Sequence, residues 1–308
     1  MRIIDDTQFS RGDFASPTMT IGSYDGLHLG HQKILDQVIS RAKSRGGEAL
    51  VLTFEPHPAQ VFSPESKIPL ITPYRKKMML LEQLGVDVTI NLPFTKDVYT
   101  MSAKEFVEEI VVKKIGPRAV IVGFNFTFGK GRKGNVEDLE RLGKIYGIEV
   151  HVTPPFRLDN KVVSSTRIRA LIMQGNIREA NRMLGRHFFI LAKVIHGHAR
   201  GRKLGYPTAN LERAEDLYPK AGVYAAYVTV DNETYRGAVN IGTKPTFGDE
   251  DFSIETFVFD YKGNLYGKEL TVSFVDRLRD EQRFPSPEAL VQQMEKDIER
   301  SKEILTES

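Results

Sequence analysis

Gly22-Ser23-Tyr24-Asp25-Gly26-Leu27-His28-Leu29-Gly30-His31 is the stretch on which the reading of this chain turns. It ends a short apolar run that starts at Met19. It opens a helix-spaced segment, residues 30–44, in which Ile34, Leu35, Val38, Ile39 and Ala42 share a face. A strand that breaks at glycines and restarts as a helix leaves free N–H groups and a positive dipole end at the turn. Gly26 and Gly30 let the backbone approach a ligand closely. His28 and His31 are three apart and reach one face of the first helical turn. Two imidazoles beside free amides suit a polyphosphate. They are not a metal pair of the HExxH kind, because the Glu is missing and the spacing is three.

Outward from this turn, 49–54 (ALVLTF), 86–92 (VDVTINL) and 118–124 (RAVIVGF) read as buried strands. Helical stretches lie between them, at 74–84 with Met78, Leu80, Leu81 and Leu84, and at 102–114. Alternation of this kind predicts a doubly wound α/β domain around a parallel sheet. Two further helical stretches, 164–174 and 176–184, close this half. From Phe188 the period becomes two, in FFILAKVIHG, VYAAYVTV, TYRGAVNIG, SIETFVFD and KELTVSFVD. Turn residues between these runs predict an antiparallel barrel or sandwich. A last amphipathic helix follows Pro285 and Pro287, with Ser286 as its N-cap, and runs to about 304. The domain boundary is placed near 185, giving domains 1–185 and 186–308.

Composition narrows the function. At 308 residues two domains are favoured. There is no cysteine, which excludes a disulfide scaffold, thiolate metal sites and a Cys nucleophile. With 43 basic and 40 acidic side chains the net charge is +3, too mild to argue for nucleic-acid binding. No run approaches the ~18 apolar residues of a spanning helix. The N-terminal MRIIDDTQFSRGDF is acidic where a signal peptide would be apolar, so a cytoplasmic protein is expected.

Further motifs carry chemistry. His57 follows the second strand in Phe54-Glu55-Pro56-His57-Pro58, so all three histidines are expected in the crevice at the strand C-termini. Gly129-Lys130-Gly131-Arg132-Lys133-Gly134 fits GxGxxG, but NFTF separates it from the strand and GK[ST] is missing. It reads as a mobile basic loop, a nucleotide cover or simply solvated, with Asn135 capping the next helix. Ser165, Thr166 and Arg169 in SSTRIR read equally as a helix cap and as phosphate ligands. Gly197, Gly201 and Gly205 are spaced four apart in a loop with Arg200, Arg202 and Lys203, a pattern that can wrap phosphates. Thr208 and Asn210 are two apart, so an extended segment turns both to one face, and their hard oxygens suit Mg²⁺. Glu255, an acid in an apolar strand, reads by period as an outward residue.

HLGH after a strand resembles the HxGH signature of the nucleotidyltransferase superfamily. The ordered set GSYDGLHLGHQ, TFEPHP, VGFNFTFGKGRKGN and SSTRIR resembles the FMN adenylyltransferase module of bacterial bifunctional riboflavin kinase/FAD synthetases. The GxxxGxxxG-x-PTAN run resembles the riboflavin kinase signature, so the resemblance spans the whole chain. It implies an N-terminal nucleotidyltransferase domain and a C-terminal β-barrel kinase domain. His28 and His31 would then donate to ATP phosphates. Gly22, Asp25, Gly26, Gly30, Ser165, Thr166 and Arg169 would bind that nucleotide, and Asn125 and His57 the flavin. In the second half it implies Glu255 as the general base on the ribityl hydroxyl. Gly197, Arg202, Lys203 and Gly205 would bind nucleotide there, and Mg²⁺ would sit near Thr208 and Asn210. Arg279 and Glu281 would belong to a flap that closes on the flavin. The implied substrates are riboflavin, FMN and ATP, the products FMN and FAD, with no nucleic-acid or membrane partner. Two positions depart from the family pattern: Phe257 stands where His is usual, and Lys244 where Arg is commoner.

Overall fold

β-Branched and aliphatic runs buried on both faces build the centre of the first half: Thr18–Ile21, Ala49–Glu55, Val88–Pro93 and Ala119–Gly123. With edge strands Arg2–Ile4 and Glu149–Thr153 they make six strands, numbered β1 to β6 in chain order. The computed structural model describes residues 1–62, 68–196, 206–213, 217–246 and 249–306, with backbone only for 243–246 and 249–251. The sheet order is β1-β4-β3-β2-β5-β6, and every pairing is parallel. From β2 the chain runs outward through β3 and β4, then returns to β5 on the other side of β2. The strand order therefore reverses between β2 and β5, where connections leave in opposite directions and open a crevice.

The helices of this unit are α1 (Leu29–Ser44), α2 (Pro58–Phe62), α3 (Tyr74–Gln83), α4 (Lys96–Thr100), α5 (Ala103–Glu105) and α6 (Val136–Tyr146). α5 continues as a π-helix over Phe106–Ile115. α1 buries Ile34, Val38 and Ala42 against Ala49 and Ile121. The Asn135 side chain accepts from the Asp138 N–H at 2.9 Å, as expected of the α6 cap. The basic loop before it is held rather than loose. Phe128 and Gly134 bridge, the Lys130 N–H donates to the Met101 carbonyl (2.7 Å), and Arg132 Nε donates to Thr127 Oγ1 (2.9 Å).

A short antiparallel pair, β7 (Arg157–Leu158) and β8 (Lys161–Val162), ends the first unit. The second unit contains a closed antiparallel barrel in the order β10-β13-β12-β11-β14-β9. Its strands are β9 (Phe188–Ile195), β10 (Ala209–Leu211), β11 (Gly222–Val230), β12 (Glu233–Thr246), β13 (Asp249–Val258) and β14 (Glu269–Arg279). Closure selects the barrel over the sandwich. The terminal helix α9 (Pro287–Ile304) starts at a Ser286 cap and packs on β11, β12 and β14.

Backbone contacts divide the chain into Met1–Ser164 and Ser165–Ser308. That boundary lies about one helical hairpin before the expected 185. The reason is α8 (Ile177–Leu184), which follows α7 (Ser165–Met173). Asn181 on α8 donates to the Phe274 carbonyl (2.8 Å) and accepts the Phe188 N–H (2.7 Å), which ties the hairpin to barrel strands. Among the described residues, no helix is long and apolar enough to cross a membrane.

Candidate active sites

The crevice predicted from strand order is occupied by a cavity of about 690 Å³ in the first unit. Its walls come from the ends of β2, β3, β4 and β5. Gly22, His31, His57 and Asn125 line it, as do Gly129, Gly131 and Arg132 of the basic loop.

His28 caps α1. Its Nδ1 accepts the His31 N–H at 3.2 Å, so in the neutral ring the proton sits on Nε2. The two imidazoles stack at 3.6 Å between centroids and 17° between planes. Tyr24 meets His31 edge-on at 5.0 Å and is itself anchored by a hydrogen bond to Thr20 Oγ1. Burial pushes the Tyr24 phenol well above its usual range, so it stays protonated. His31 reaches the cavity wall, while His28 is 6% exposed and lies against it. A Cβ on Gly30 would come within 3.2 Å of the His28 ring, so a larger residue there would press on the imidazole.

Asp25 and Gly26 serve the loop rather than the cavity wall. The Asp25 carboxylate is 2% exposed and accepts the Thr72 N–H at 2.9 Å, and the Gly26 N–H donates to Thr72 Oγ1 at 2.8 Å. Thr72 had no signal in the sequence, because its partners lie far away in the chain. Behind it Lys77 is 1% exposed. Burial pushes its pKa down, against the pull of Glu55 and Asp25. Burial likewise raises the Glu55 pKa. His57 turns Nδ1 to the Ala59 N–H (3.1 Å).

An aromatic part of the lining was not foreseen. Tyr99, Phe62, Phe94, Phe54, Phe106, Phe128 and Phe126 form a continuous chain of ring contacts, with centroids 5.3–6.5 Å apart. All seven rings line the cavity. A planar aromatic ligand can stack or insert edge-on against such a wall. The wall is assembled from separate segments, and only Phe126 and Phe128, two apart, are close neighbours in the chain. Ser165, Thr166 and Arg169 open α7, in the second unit.

In the barrel, register gathers the expected residues. Asn210 on β10 lies opposite Glu255 on β13, which lies opposite Asn240 on β12. Directly opposed residues share a face. Their neighbours Ile254, Thr256, Val239 and Ile241 are at most 1% exposed and fill the barrel, so this row is on the outer face. Thr208 immediately precedes β10. Glu281 reaches the same rim: its Oε1 would lie 2.4 Å from a Cβ on Gly242, and Asn240 Nδ2 3.4 Å from it. Asn240 is the residue that strand periodicity alone did not single out.

Arg279 is committed elsewhere. Its Nε lies 3.0 Å from both Asp297 carboxylate oxygens, and Nη2 donates at 2.7 Å. It therefore pins the end of β14 to α9. Phe257 packs edge-on to Tyr206 (5.7 Å) and Phe259 (5.4 Å), an apolar contact with no proton to offer. Gly197, Arg202, Lys203 and Gly205 lie outside the described residues, and so does the Lys244 side chain.

A family model described as FAD synthetase matches residues 12–167, and one described as riboflavin kinase matches 184–305. The chain is 38% identical over 280 residues to the bifunctional riboflavin kinase/FMN adenylyltransferase of Pseudomonas fluorescens, covering 91% of this chain and 90% of that one. It is 35% identical over 292 residues to the protein of the same name from Bacillus subtilis, covering 92% and 90%. A solved structure called a macrolide-efflux protein, from Streptococcus pneumoniae, superposes with a TM-score of 0.89 at 30% identity, covering 98% of this chain and 99% of that one. With both modules matched in order over nearly its full length, the chain belongs to the bifunctional riboflavin kinase/FMN adenylyltransferase family.

Proposed function

We propose that this chain makes FMN and then FAD at two separate sites. The carrying observation is the stacked His28–His31 pair at a helix N-terminus, beside a cavity that His31 and a run of aromatic rings both line. Phosphate donors and a surface for a flat apolar ligand in one cavity are the pattern that joining a flavin phosphate to a nucleotide requires.

In the first unit an FMN phosphate oxygen attacks the α-phosphorus of ATP. The bond from the α-phosphorus to the β-phosphate bridging oxygen breaks, and pyrophosphate leaves. His31 on the cavity wall and His28 beside it donate N–H groups to phosphate oxygens as charge moves onto the leaving group. The N-terminal amides of α1 add a fixed positive field. The aromatic wall holds the flavin ring, and Asn125 and His57 supply polar contacts to it. Family resemblance adds Ser165, Thr166 and Arg169 to the phosphate ligands. No covalent enzyme intermediate is needed, so catalysis is positioning plus electrostatics.

In the second unit Glu255 accepts the 5′-hydroxyl proton of riboflavin as that oxygen takes the γ-phosphoryl group of ATP, with ADP leaving. Register supports this, because it sets Asn210 and Asn240 on either side of Glu255, on the outer face of the barrel. Resemblance assigns Gly197, Arg202, Lys203 and Gly205 to the ATP phosphates. The oxygen donors of Thr208 and Asn210 beside a carboxylate fit Mg²⁺, a hard cation that keeps few protein ligands and travels with phosphates. Bound there, it would neutralise phosphate charge.

The test supplies purified protein with riboflavin, ATP and Mg²⁺ and separates the flavins by chromatography. FMN followed by FAD is expected. His28→Ala should stop at FMN, and Glu255→Ala should make FAD only from added FMN. Loss of both activities in either folded variant would refute the two-site reading.

A further inference from the structure

The loop that presents the histidine pair is conformationally strained. Its φ angles are positive at Tyr24 (52°), Gly26 (91°) and Leu27 (40°). Two of these residues carry bulky side chains, which persist in that region only when surrounding contacts over-determine them. Within the loop the Leu27 N–H to Tyr24 carbonyl bond is long, at 3.3 Å.

Thr72, just before α3, supplies contacts from outside. Its backbone N–H donates to Asp25 Oδ1 (2.9 Å), and its hydroxyl accepts the Gly26 N–H (2.8 Å). The hydroxyl proton is shared between Asp25 Oδ1 (3.3 Å) and the Tyr24 carbonyl (3.4 Å). One residue thus grips three consecutive loop positions. Thr72 and Asp25 are 1% and 2% exposed, so water does not compete. Lys77 on α3 is buried, and the charges of Glu55 and Asp25 pull its pKa up against the larger downward push of burial.

We propose that Thr72 and Asp25 form a positioning pair for adenylyl transfer, fixing the strained loop so that the His28–His31 stack is held ready for the phosphates. The inference rests on the adenylyltransferase reading of this site. Neither residue lines the cavity, and it is through their hydrogen bonds to each other and to the loop backbone that the pair acts. The pair acts on one wall only, while the aromatic wall that holds the flavin comes from other segments. Its loss therefore lowers turnover and leaves flavin binding in place.

The experiment measures kcat and KM for FMN during FAD formation by the full chain and by Thr72→Val, Thr72→Ala and Thr72→Ser. Valine keeps the shape and removes the hydroxyl, and serine keeps the hydroxyl. Thr72→Val and Thr72→Ala should lose roughly tenfold to a hundredfold in kcat, the scale of a small misplacement of catalytic groups, with KM for FMN within about twofold. Thr72→Ser should stay within about threefold of the parent. FMN formation in the same preparations should be unchanged, which also reports intact protein. Should Thr72→Val fail to fold, Asp25→Asn serves in its place and should lower kcat in the same way. A folded Thr72→Val or Asp25→Asn protein with parental kcat, a Thr72→Ser protein as defective as Thr72→Ala, or a loss appearing only in KM would overturn the inference. If the parent chain forms no FAD, the adenylyltransferase reading falls and takes the inference with it.

Discussion

His28→Asn separates two jobs that one side chain performs. The imidazole caps α1 through Nδ1, 3.2 Å from the His31 N–H, and in the proposed function it also offers its Nε2 proton to phosphate. Asparagine is among the best N-caps, because its short side-chain oxygen accepts the same kind of bond, but it has no ring. Replacing an N-cap acceptor by alanine costs about 1 kcal/mol. Losing the ring stacked at 3.6 Å on His31 costs about another 0.5–1.5 kcal/mol in either variant. His28→Asn should therefore unfold in urea about 1 kcal/mol later than His28→Ala. Catalysis should not follow that order. Removing one preorganised donor costs about 2.7–4 kcal/mol in the transition state, or ~10²–10³ in rate. Both variants should lose that much FAD formation from added FMN while FMN formation proceeds as in the parent. A His28→Asn protein that still makes FAD within about threefold of the parent would show that capping, and not proton donation, is what His28 contributes.

Glu255→Gln should abolish FMN formation yet leave FAD formation from supplied FMN, measured by separating the flavins after each half-reaction. Asp297→Ala strands the Arg279 guanidinium, whose side chain is only 16% exposed, and also removes the acceptor of the Gln293 amide. Breaking a buried pair from one side costs about 3–5 kcal/mol, so denaturant unfolding of the second unit should shift by that order. Phe62 is 57% exposed at the cavity edge, so Phe62→Ala should change stability by no more than about 0.5 kcal/mol. If the aromatic wall holds the flavin as proposed, it should raise KM for FMN in FAD formation while kcat holds, because it removes one ring of that wall and leaves the histidine pair in place.

What the sequence revealed of the first site was what is contiguous. His28 and His31 sit on one helical turn, and the helix signal around Ile34 and Val38 is local, so motif and fold were read together. The edge strands β1 and β6 escaped, because Arg2–Ile4 is short and half-exposed and Glu149–Thr153 carries polar residues at a sheet margin. The aromatic wall escaped for a different reason. Phe54, Phe94 and Phe106 each read as ordinary core residues of their own segment, and only the sheet order brings them to one crevice. Asp25 looked like a ligand for nucleotide because it stands in the motif. Its burial depends on Thr72, 47 residues away.

The barrel shows how much a three-residue strand decides. β10 enters between β9 and β13, with Asn210 opposite Ile195 on one side and Glu255 on the other. Nothing in the periodicity of β13 says whether Glu255 is a site residue or a solvated one, because both readings put it on the outer face. What distinguishes them is the company it keeps, and that depends on register. A slip of one residue in β10 would turn Asn210 inward and expose Ala209 and Leu211, which are now 7% and 5% exposed. Apolar burial at those two positions therefore holds Asn210 beside Glu255. The same logic runs across β12, where the buried Val239 and Ile241 turn Asn240 to the rim. The polar row on the outside of this barrel is thus set by the hydrophobic residues on its inside, which is why the two must be read together.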